Sequence, residues 1–266
     1  MTTPSLTIAL TIAGSDSGGG AGIQADLKTF AAFGLFGTSV ISAVTAQNTT
    51  GVRAWERVSP SLVRAQLDAV AEDLRPAALK SGMLGDADVV RAVAGGIRAH
   101  GLAPYVLDPV MVASSGDPLL KADAVQAIVG ELFPLAALVT PNLDEASLLL
   151  GRDVLDVDAM VDAARDLVGQ FGARAALVKG GHLRGDTLVD VLFDGTVVTR
   201  FEHPRIDSTS THGTGCTLSA AIAARLALGS SLVDAVEAGL GFVRRGIENA
   251  PGLGAGHGPL NHFVSA

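Results

Sequence analysis

The sequence predicts an α/β protein, with a mostly parallel central sheet, helices on both faces and a small antiparallel hairpin at one edge. Short apolar segments alternate with longer segments whose apolar residues recur at helical spacing, which is typical of parallel strands joined by crossover helices. Hydrophobic residues make up 48% of the 266 residues, enough for a large core. The dipeptide Asp194-Gly195 lies between two alternating segments and predicts the hairpin turn.

The predicted elements alternate along most of the chain. We predict strands at residues 6–13, 38–44, 78–81, 105–108, 137–140 and 175–179, followed by the hairpin strands 188–193 and 196–201. We predict one helix that ends near residue 33 and others at 60–73, 87–100, 122–133, 143–150, 159–171, 217–228 and 232–248. Pro60 marks one helix start and Gly229 one helix end, because proline suits the first turn and glycine the position after the last.

The sequence gives no sign of a membrane span or of a second domain. Residues 29–52 are uncharged, but glycines and amides interrupt them, so we interpret this stretch as a buried helix end, a turn and a buried strand. No linker or repeat divides residues 1–266, and we expect a single domain. The N-terminus lacks the basic residues of a signal peptide, and one cysteine cannot form an intrachain disulfide. We therefore expect a cytoplasmic protein without a membrane partner.

The charge of the chain restricts its partners. The net charge is −8, which argues against a nucleic-acid partner, because nonspecific binding depends on neutralising phosphates. An anionic ligand would have to be held by a local site. In parallel sheets such sites lie at the carboxyl ends of the strands, and polar residues gather in the loops predicted there.

The sharpest local signal is the segment 212–217, His-Gly-Thr-Gly-Cys-Thr, which opens a predicted helix. Its glycines allow successive backbone N–H groups to turn inward, and the helix N-terminus adds partial positive charge. Gly213, Thr214 and Gly215 are thus predicted to form an anion hole for a phosphoryl group in transfer. We expect the same field to lower the pKa of Cys216, so that its thiolate accepts a proton from a substrate hydroxyl. The alternative is a glycine-rich turn beside a small buried cysteine.

Three further side chains follow buried strands. Lys179 ends one strand before two glycines, where its ammonium is placed to reach phosphate oxygens; the alternative is a lysine that extends to the surface. Asp108 ends another strand before a proline, where a capping role is less natural. Glu145 follows Asn142 by three residues, which is a capping-box pattern. The functional alternative for Glu145 is a carboxylate that positions Mg²⁺ or its waters.

Several common nucleotide-binding patterns are absent from the sequence. The loop of residues 14–22 fails the dinucleotide pattern, because Ile23 stands where a glycine is required. No lysine follows a glycine, which excludes the Walker A pattern, and the protein-kinase signatures are missing. The histidines show no metal-ligand spacing, so we do not expect a structural zinc. Asp26, about one turn into the first helix, is by itself typical of a solvated helix residue.

Seven segments of the chain resemble, in order, the bacterial hydroxymethylpyrimidine/phosphomethylpyrimidine kinases, a family with the ribokinase-like fold. The segments are 13–26 (AGSDSGGGAGIQAD), 44–49 (VTAQNT), 80–83 (KSGM), 108–111 (DPVM), 140–143 (TPNL), 178–182 (VKGGH) and 212–218 (HGTGCTL). They span nearly the whole sequence, and their ordered combination is highly specific.

The resemblance implies a substrate and the residues that bind it. It implies ATP-dependent phosphorylation of 4-amino-5-hydroxymethyl-2-methylpyrimidine to its monophosphate and then to the diphosphate, in thiamin biosynthesis. Gln47 is implied to bind the aminopyrimidine, because a carboxamide offers a donor and an acceptor. The resemblance also places Gly14, Asp26, Met83 and Val110 around the pyrimidine.

The resemblance also assigns the residues of phosphoryl transfer. Asp108 and Glu145 correspond to the pair that organises Mg²⁺ and its waters, and Lys179 to the lysine that faces the ATP phosphates. Cys216 occupies the position of the catalytic base, where sugar kinases of the same fold carry aspartate. We also expect a homodimer.

Two alternatives stay open at this point. A pyridoxal or pyridoxine kinase of the same fold would act on a related hydroxymethyl heterocycle. A noncatalytic nucleotide-binding module belongs to a different class, and the grouping of Asp108, Glu145, Lys179 and Cys216 argues against it. No early segment is long enough for the large lid of strands that sugar kinases of the fold often carry.

Overall fold

The computed structural model describes residues 6–111 and 122–266, and nine strands within them form one sheet. In chain order the strands are β1 (Ile8–Ser15), β2 (Phe36–Asn48), β3 (Gly51–Arg57), β4 (Ala78–Ser81), β5 (Tyr105–Leu107), β6 (Leu138–Val139), β7 (Ala176–Val178), β8 (Thr187–Phe193) and β9 (Val198–Pro204). Their order across the sheet is β3-β2-β1-β4-β5-β6-β7-β8-β9. Six neighbouring strands, β2, β1, β4, β5, β6 and β7, run parallel to one another. This confirms the mostly parallel sheet.

Helices lie on both faces of the sheet. They are α1 (Gly22–Ala32), α2 (Pro60–Asp73), α3 (Ala87–His100), α4 (Ala122–Ala127), α5 (Leu143–Leu150), α6 (Val157–Phe171), α7 (Thr214–Ala227) and α8 (Leu232–Glu248). The predicted helix at 122–133 is α-helical only in its first half. A π-helical turn (Ile128–Leu132) and a 3-10 turn (Phe133–Leu135) follow α4, where Pro134 has no N–H to continue an α-helix.

Two hydrophobic cores hold the helices against the sheet. On one face, α2, α3 and α6 pack against residues that include Leu10 and Ile12 of β1. On the other face, α1, α7 and α8 pack against residues that include Ala9. Adjacent residues of β1 thus pack into different cores, because successive side chains of a strand point to opposite faces of the sheet.

Local capping explains why several helices have their predicted bounds. The side chains of Ser59, Asp86 and Asn142 each accept a hydrogen bond from a backbone N–H in the first turn of α2, α3 and α5. Gly101 and Gly151 follow α3 and α5 in the left-handed conformation that ends many helices.

Antiparallel hairpins flank the parallel strands at both edges of the sheet. The predicted hairpin, β8–β9, is confirmed, and the side chain of Asp194 accepts hydrogen bonds from two backbone N–H groups of its turn. The sequence analysis missed the other hairpin. Strand β2 extends to Asn48, beyond its predicted end, and pairs with β3. Strand β3 is largely exposed and therefore lacks the apolar alternation that predicts a strand.

The fold gathers the predicted site at one end of the sheet. Asp108 follows β5 directly and Lys179 follows β7 directly. Helix α7 starts at Thr214, before its predicted start at 217, so the predicted anion-hole residues belong to its cap and first turn. Among the described residues, no helix is long and apolar enough to cross a membrane.

Candidate active site

A cleft of about 670 Å³ opens at the carboxyl ends of the parallel strands. It contains eleven of the twelve residues that the sequence analysis assigned to the site: Gly14, Gln47, Met83, Asp108, Val110, Glu145, Lys179, Gly213, Thr214, Gly215 and Cys216. A second cavity of about 620 Å³ is lined mainly by residues of α7 and α8 and contains none of them. The candidate site is therefore the cleft at the sheet end, as the strand-end rule predicts.

The anion hole is formed by the start of α7. Gly213 caps the helix with φ +86°, and a Cβ on it would collide with the carbonyl oxygen of Gly20 in the first loop. Glycine is therefore required for both its backbone conformation and its close packing. The N–H of Thr214 already donates to the carbonyl oxygen of Thr211 at 3.3 Å. The N–H groups of the following first-turn residues face no helical acceptor and remain suited to an anion.

The pKa of Cys216 differs from the sequence-based expectation. The pKa of this thiol is raised to about 11: burial is the main cause, the carboxylates of Asp26 and Asp108 add to it, and Lys80 opposes it. The predicted lowering by the helix N-terminus is therefore wrong for the free protein, because desolvation and the two carboxylates outweigh it. At neutral pH the sulfur is a thiol, placed on the cleft wall and half-buried.

Lys179 lies between the anion hole and two buried carboxylates. Its Nζ donates to Oδ1 of Asp108 at 2.9 Å, and a Cβ on Gly215 would lie 3.2 Å from the same Nζ. Burial alone would lower the pKa of Lys179, but Asp108 and Glu145 outweigh burial and raise it. The ammonium is therefore charged, mostly buried and adjacent to the first turn of α7.

Glu145 forms the capping box that the sequence predicts. Its backbone N–H donates to Oδ1 of Asn142 at 2.9 Å, and its Oε2 accepts from the backbone N–H of Asn142 at 2.8 Å. Burial raises the pKa of Glu145 to about 7; Lys179 opposes this shift, and Asp108 adds to it. The capping role thus coexists with a buried carboxyl group that faces the cleft.

The charges around Lys179 fit a hard divalent cation. Both Asp108 and Glu145 interact with the ammonium of Lys179, and Asp108 also interacts with Lys80, which is paired with Asp26. Two ammonium groups thus face three carboxyl groups, whose ionised forms leave an excess negative charge. Carboxylate oxygens suit Mg²⁺, which usually takes one or two of them together with water and phosphate oxygens. The described residues contain no cluster of three or more His, Cys, Asp and Glu that would enclose a metal. A cation here would depend on the nucleotide and on water for its remaining ligands.

Asp26 is the one predicted site residue that does not line the cleft. Its two carboxylate oxygens accept from Nζ of Lys80 at 3.0 and 3.1 Å, and Oδ2 also accepts from Oγ1 of Thr11 at 2.6 Å. The side chains of Asp26 and Lys80 are fully buried. Burial would lower the pKa of Lys80, but the facing carboxylate outweighs burial and raises it. The structure thus shows an internal ion pair, and a contact between Asp26 and a pyrimidine stays a prediction.

Gly14, Met83 and Gln47 also line the cleft. A Cβ on Gly14 would lie 2.7 Å from Cε of Met83, so the thioether packs directly against the backbone of Gly14. Nε2 of Gln47 lies 3.4 Å from Nε2 of His212, and His212 in turn lies 2.9 Å from a carboxylate oxygen of Asp16. These residues provide a carboxamide and a soft apolar thioether in one cleft, which suits a flat heteroaromatic ring.

The C-terminal segment, residues 254–262, joins the tip of the β2–β3 hairpin to the anion hole. A Cβ on Gly256 would collide with the backbone of Thr49 at the hairpin tip. At the other side, the backbone N–H of His212 donates to the carbonyl oxygen of Gly258 at 3.1 Å. The segment therefore connects the hairpin tip to the residue that precedes the anion hole.

Comparison with known proteins agrees with this geometry. A family model described as phosphomethylpyrimidine kinase matches residues 16–261. The hydroxymethylpyrimidine/phosphomethylpyrimidine kinase of Rhizobium meliloti (strain 1021) is 53% identical over 258 residues, which cover 96% of this chain and 97% of that protein. The chain belongs to the phosphomethylpyrimidine kinase family.

Solved structures related to this family member share its fold. An ADP complex of Bacillus subtilis pyridoxal kinase superposes with a TM-score of 0.90 at 38% identity, covering 97% of this chain and 98% of that one. The phosphomethylpyrimidine kinase of Clostridium difficile 630 gives a TM-score of 0.80 at 40% identity, over 90% of this chain and 98% of that one. The ribokinase-like fold that the resemblance implies is confirmed.

The sequence analysis missed several polar residues that organise the site of this family member. Lys80, Asp16 and His212 were quoted only as parts of motifs, although each forms a buried ion pair or hydrogen bond near the cleft. Asp190, which the sequence analysis did not name, accepts a hydrogen bond from the backbone N–H of Gly180, next to Lys179. A charged residue within an apolar strand, such as Lys80, was the available signal, because buried charges are rarely left unpaired.

The high pKa of Cys216 leads to a test in the free protein. We expect the rate of alkylation by iodoacetamide to rise about tenfold per pH unit from pH 8 to 10, because only the thiolate reacts and the pKa is about 11. Cys216 is the only cysteine, so mass spectrometry reports on this site alone, with circular dichroism as a check on folding at each pH. A rate that levels off below pH 9 would contradict the raised pKa.

Proposed function

We propose that the chain transfers the γ-phosphoryl group of ATP to the hydroxymethyl group of 4-amino-5-hydroxymethyl-2-methylpyrimidine, and then to the resulting monophosphate. The observation that carries the proposal is the arrangement of one cleft. Gln47 and Met83 line it together with Cys216, the anion hole and Lys179. Membership of the phosphomethylpyrimidine kinase family supports both the reaction and the use of ATP.

The acceptor binds beside Gln47 in the cleft. Its amino group and ring nitrogen match the acceptor and donor of the Gln47 carboxamide. Met83 and Val110 provide apolar contact, while Gly14 lets the ring approach the backbone. In the proposed complex the hydroxymethyl group faces Cys216, which lines the same cleft in the first turn of α7.

Phosphoryl transfer depends on positioning and electrostatics. The first-turn N–H groups of α7 and the ammonium of Lys179 face the transferring group and stabilise its negative charge. Cys216 contacts and orients the acceptor hydroxyl as a neutral thiol, given its pKa of about 11. The loose transition state of phosphoryl transfer requires little removal of the proton before bond formation, so a thiol is adequate in this position.

Mg²⁺ is part of the proposal. Asp108 and Glu145 would hold it with water and phosphate oxygens, and it would neutralise charge on the β- and γ-phosphates. Lys179 holds the Asp108 carboxylate in place by the 2.9 Å hydrogen bond. The capping box similarly fixes Glu145 at the start of α5.

We further propose a cytoplasmic homodimer without a nucleic-acid partner. Val44, Val52 and Trp55 are exposed on the β2–β3 hairpin, and exposed apolar residues grouped at a sheet edge favour contact with a second copy. The negative net charge supports the absence of a nucleic-acid partner.

An acceptor comparison tests the function. We expect hydroxymethylpyrimidine to give a higher kcat/KM than pyridoxal or ribose when ATP consumption is measured with all three side by side. Pyridoxal is the second candidate because the pyridoxal kinase of Bacillus subtilis shares 38% identity and a TM-score of 0.90. A higher kcat/KM for pyridoxal would favour a pyridoxal kinase. A tenfold higher kcat/KM for ribose would exclude both the hydroxymethylpyrimidine kinase and the pyridoxal kinase.

A further inference from the structure

Asp190 places a carboxyl group on a face of β8 that packs into a hydrophobic core. Leu192 follows it by two residues and Phe201 pairs with it on β9, and both pack in the core that holds α1, α7 and α8. The Asp190 side chain is only 6% exposed. Burying a carboxylate is costly unless hydrogen bonds replace its contacts with water, so the partners of Asp190 decide what this residue contributes.

The two carboxylate oxygens of Asp190 have different partners. Oδ1 accepts the backbone N–H of Gly180 at 2.8 Å, and Oδ2 lies 2.9 Å from Nε2 of His203 on β9. The two contacts use different atoms throughout, so they are compatible with each other. Asp190 therefore connects the loop that follows β7 to the β8–β9 hairpin, and His203 restrains the carboxylate from the hairpin side.

The backbone of Lys179 is held on both sides. Its own N–H donates to the carbonyl oxygen of Pro141 at 2.9 Å, and the next N–H, that of Gly180, donates to Asp190. Gly180 is buried, and a Cβ on it would collide with the carbonyl oxygen of Val189. Because a glycine backbone has wide conformational freedom, the bond to Asp190 fixes the plane of the peptide that follows Lys179. Without this bond a buried N–H would lack its acceptor, and the peptide would rotate toward another one.

Arg205 holds the rest of this loop independently of Asp190. Its Nε donates to the carbonyl oxygen of Gly185 at 2.8 Å, and its guanidinium also donates to the carbonyl oxygen of Leu183. Its backbone N–H donates to the carbonyl oxygen of Asp186 at 2.8 Å. Removal of the Asp190 carboxylate therefore affects the peptide between Lys179 and Gly180 before it affects the rest of the loop.

We propose that Asp190, supported by His203, is a positioning residue for phosphoryl transfer. It fixes the peptide after Lys179 and so holds the Lys179 ammonium beside the first turn of α7. Nζ lies at the far end of a long side chain that starts at this peptide, so a rotation of the peptide displaces Nζ. A displacement of about 1 Å is enough to cost about 10²-fold in rate. The inference rests on the proposed function, because it concerns the step in which Lys179 faces the transferring group.

A double-mutant cycle tests whether Asp190 acts through Lys179. Asp190→Ala removes the acceptor of the Gly180 N–H and should lower kcat by about ten- to a hundredfold. In a Lys179→Met background the same change should cost less than about threefold, because the group that it displaces is already absent. Equal losses in both backgrounds would reduce Asp190 to a structural role. Asp190 also lines the cleft, so a higher KM for ATP with an unchanged kcat would make it a nucleotide contact. Either result overturns the inference.

Two variants examine the support of the Gly180 N–H separately. Asp190→Asn keeps an oxygen that accepts this N–H, and its amide can donate to the other tautomer of His203, so kcat should stay within a few-fold of the wild type. His203→Leu leaves the bond to Gly180 in place but removes the restraint on Asp190. It should lower kcat less than Asp190→Ala does, again only when Lys179 is present, and it replaces Asp190→Ala in the cycle if that variant does not fold.

Asp194→Ala is the matched control. Asp194 lies in the turn of the same hairpin and accepts the backbone N–H groups of Thr196 at 2.8 Å and Val197 at 2.7 Å, outside the cleft. Its substitution removes the same kind of bond, so it should lower stability while kcat stays equal to that of the wild type. A loss of kcat similar to that of Asp190→Ala would assign both residues to the stability of the hairpin and overturn the inference.

The position of the Lys179 ammonium can also be followed in the free protein by nuclear magnetic resonance. Buried ammonium groups are protected from exchange with water, and the fully buried Lys80 provides an internal reference. The ammonium signal of Lys179, assigned by its loss in Lys179→Arg, should shift in Asp190→Ala and stay in place in Asp194→Ala. An unshifted signal in a folded Asp190→Ala protein would overturn the inference. A wild-type protein that does not phosphorylate hydroxymethylpyrimidine would overturn the proposed function instead, and the ammonium signal would still report whether Asp190 positions Lys179.

Discussion

Replacing Lys179 by methionine is expected to lower kcat by about 10²–10³-fold, the range for losing one group that stabilises charge in the transition state. The KM for the pyrimidine should change by only a few-fold, because Gln47 and Met83 are untouched. The reason is the location of Nζ, which lies beside the first turn of α7 and remains charged between Asp108 and Glu145. Steady-state kinetics with each substrate varied in turn measures both quantities.

The buried partner of Lys179 requires a second variant. Loss of the lysine alone leaves Asp108 without its 2.9 Å hydrogen bond, and breaking a buried pair is strongly destabilising. The double variant Lys179→Met with Asp108→Asn removes both charges, so it should regain thermal stability without regaining turnover. Arg152→Met is a control, because Arg152 forms a half-exposed ion pair with Asp166 outside the cleft. Wild-type kcat in a folded Lys179→Met protein would exclude Lys179 from phosphoryl transfer.

Replacing Gly213 by alanine is expected to reduce kcat/KM by at least about 10²-fold, the cost of misplacing reacting groups by about 1 Å. Gly213 has φ +86°, and its Cβ would collide with the carbonyl oxygen of Gly20. The start of α7 and the first loop must therefore separate, which widens the anion hole and shifts Cys216. Kinetics and thermal denaturation on the same samples distinguish a displaced site from an unfolded chain.

The variant Gly229→Ala distinguishes the effect of backbone strain at positive φ from the effect of a Cβ collision. Gly229 has φ +84°, similar to Gly213, but no heavy atom lies within 4 Å of a Cβ built on it. Its substitution should lower stability by about 1–2 kcal/mol through the left-handed conformation alone and leave kcat/KM unchanged. If Gly213→Ala behaves like Gly229→Ala in both measurements, the close packing of the two loops is not needed for catalysis.

The sequence predicts those parts of the fold that depend on local interactions. Helices α2 and α5 have their predicted bounds because Pro60 with Ser59, and Asn142 with Gly151, provide start and stop signals within a few residues. Strand β3 was missed because its residues are exposed and their conformation depends on pairing with β2. Strand β3 therefore depends on a tertiary contact, which cannot be predicted from local β-propensity.

The same distinction applies to the candidate site. Asp108 and Lys179 were found because each ends a buried strand, and parallel strands end at one edge of the sheet. The pKa of Cys216 was predicted in the wrong direction, because the helix N-terminus is a local feature. The pKa is raised first by burial and then by Asp26 and Asp108, and distant segments of the chain supply all three. His212 and Asp16 lie 196 residues apart in the sequence, so no local pattern indicates their pairing.

The path of the segment 254–262 affects when the cleft can form during synthesis of the chain. All nine strands of the sheet precede α7 in the sequence, so strand pairing can begin on the ribosome. The connection from Thr49 through Gly256 and Gly258 to His212 forms only after α8 has been made. A nascent chain that stops at the end of α8 would therefore have its sheet but not the connection between the hairpin tip and His212, so the complete cleft requires that residues 254–262 have been made.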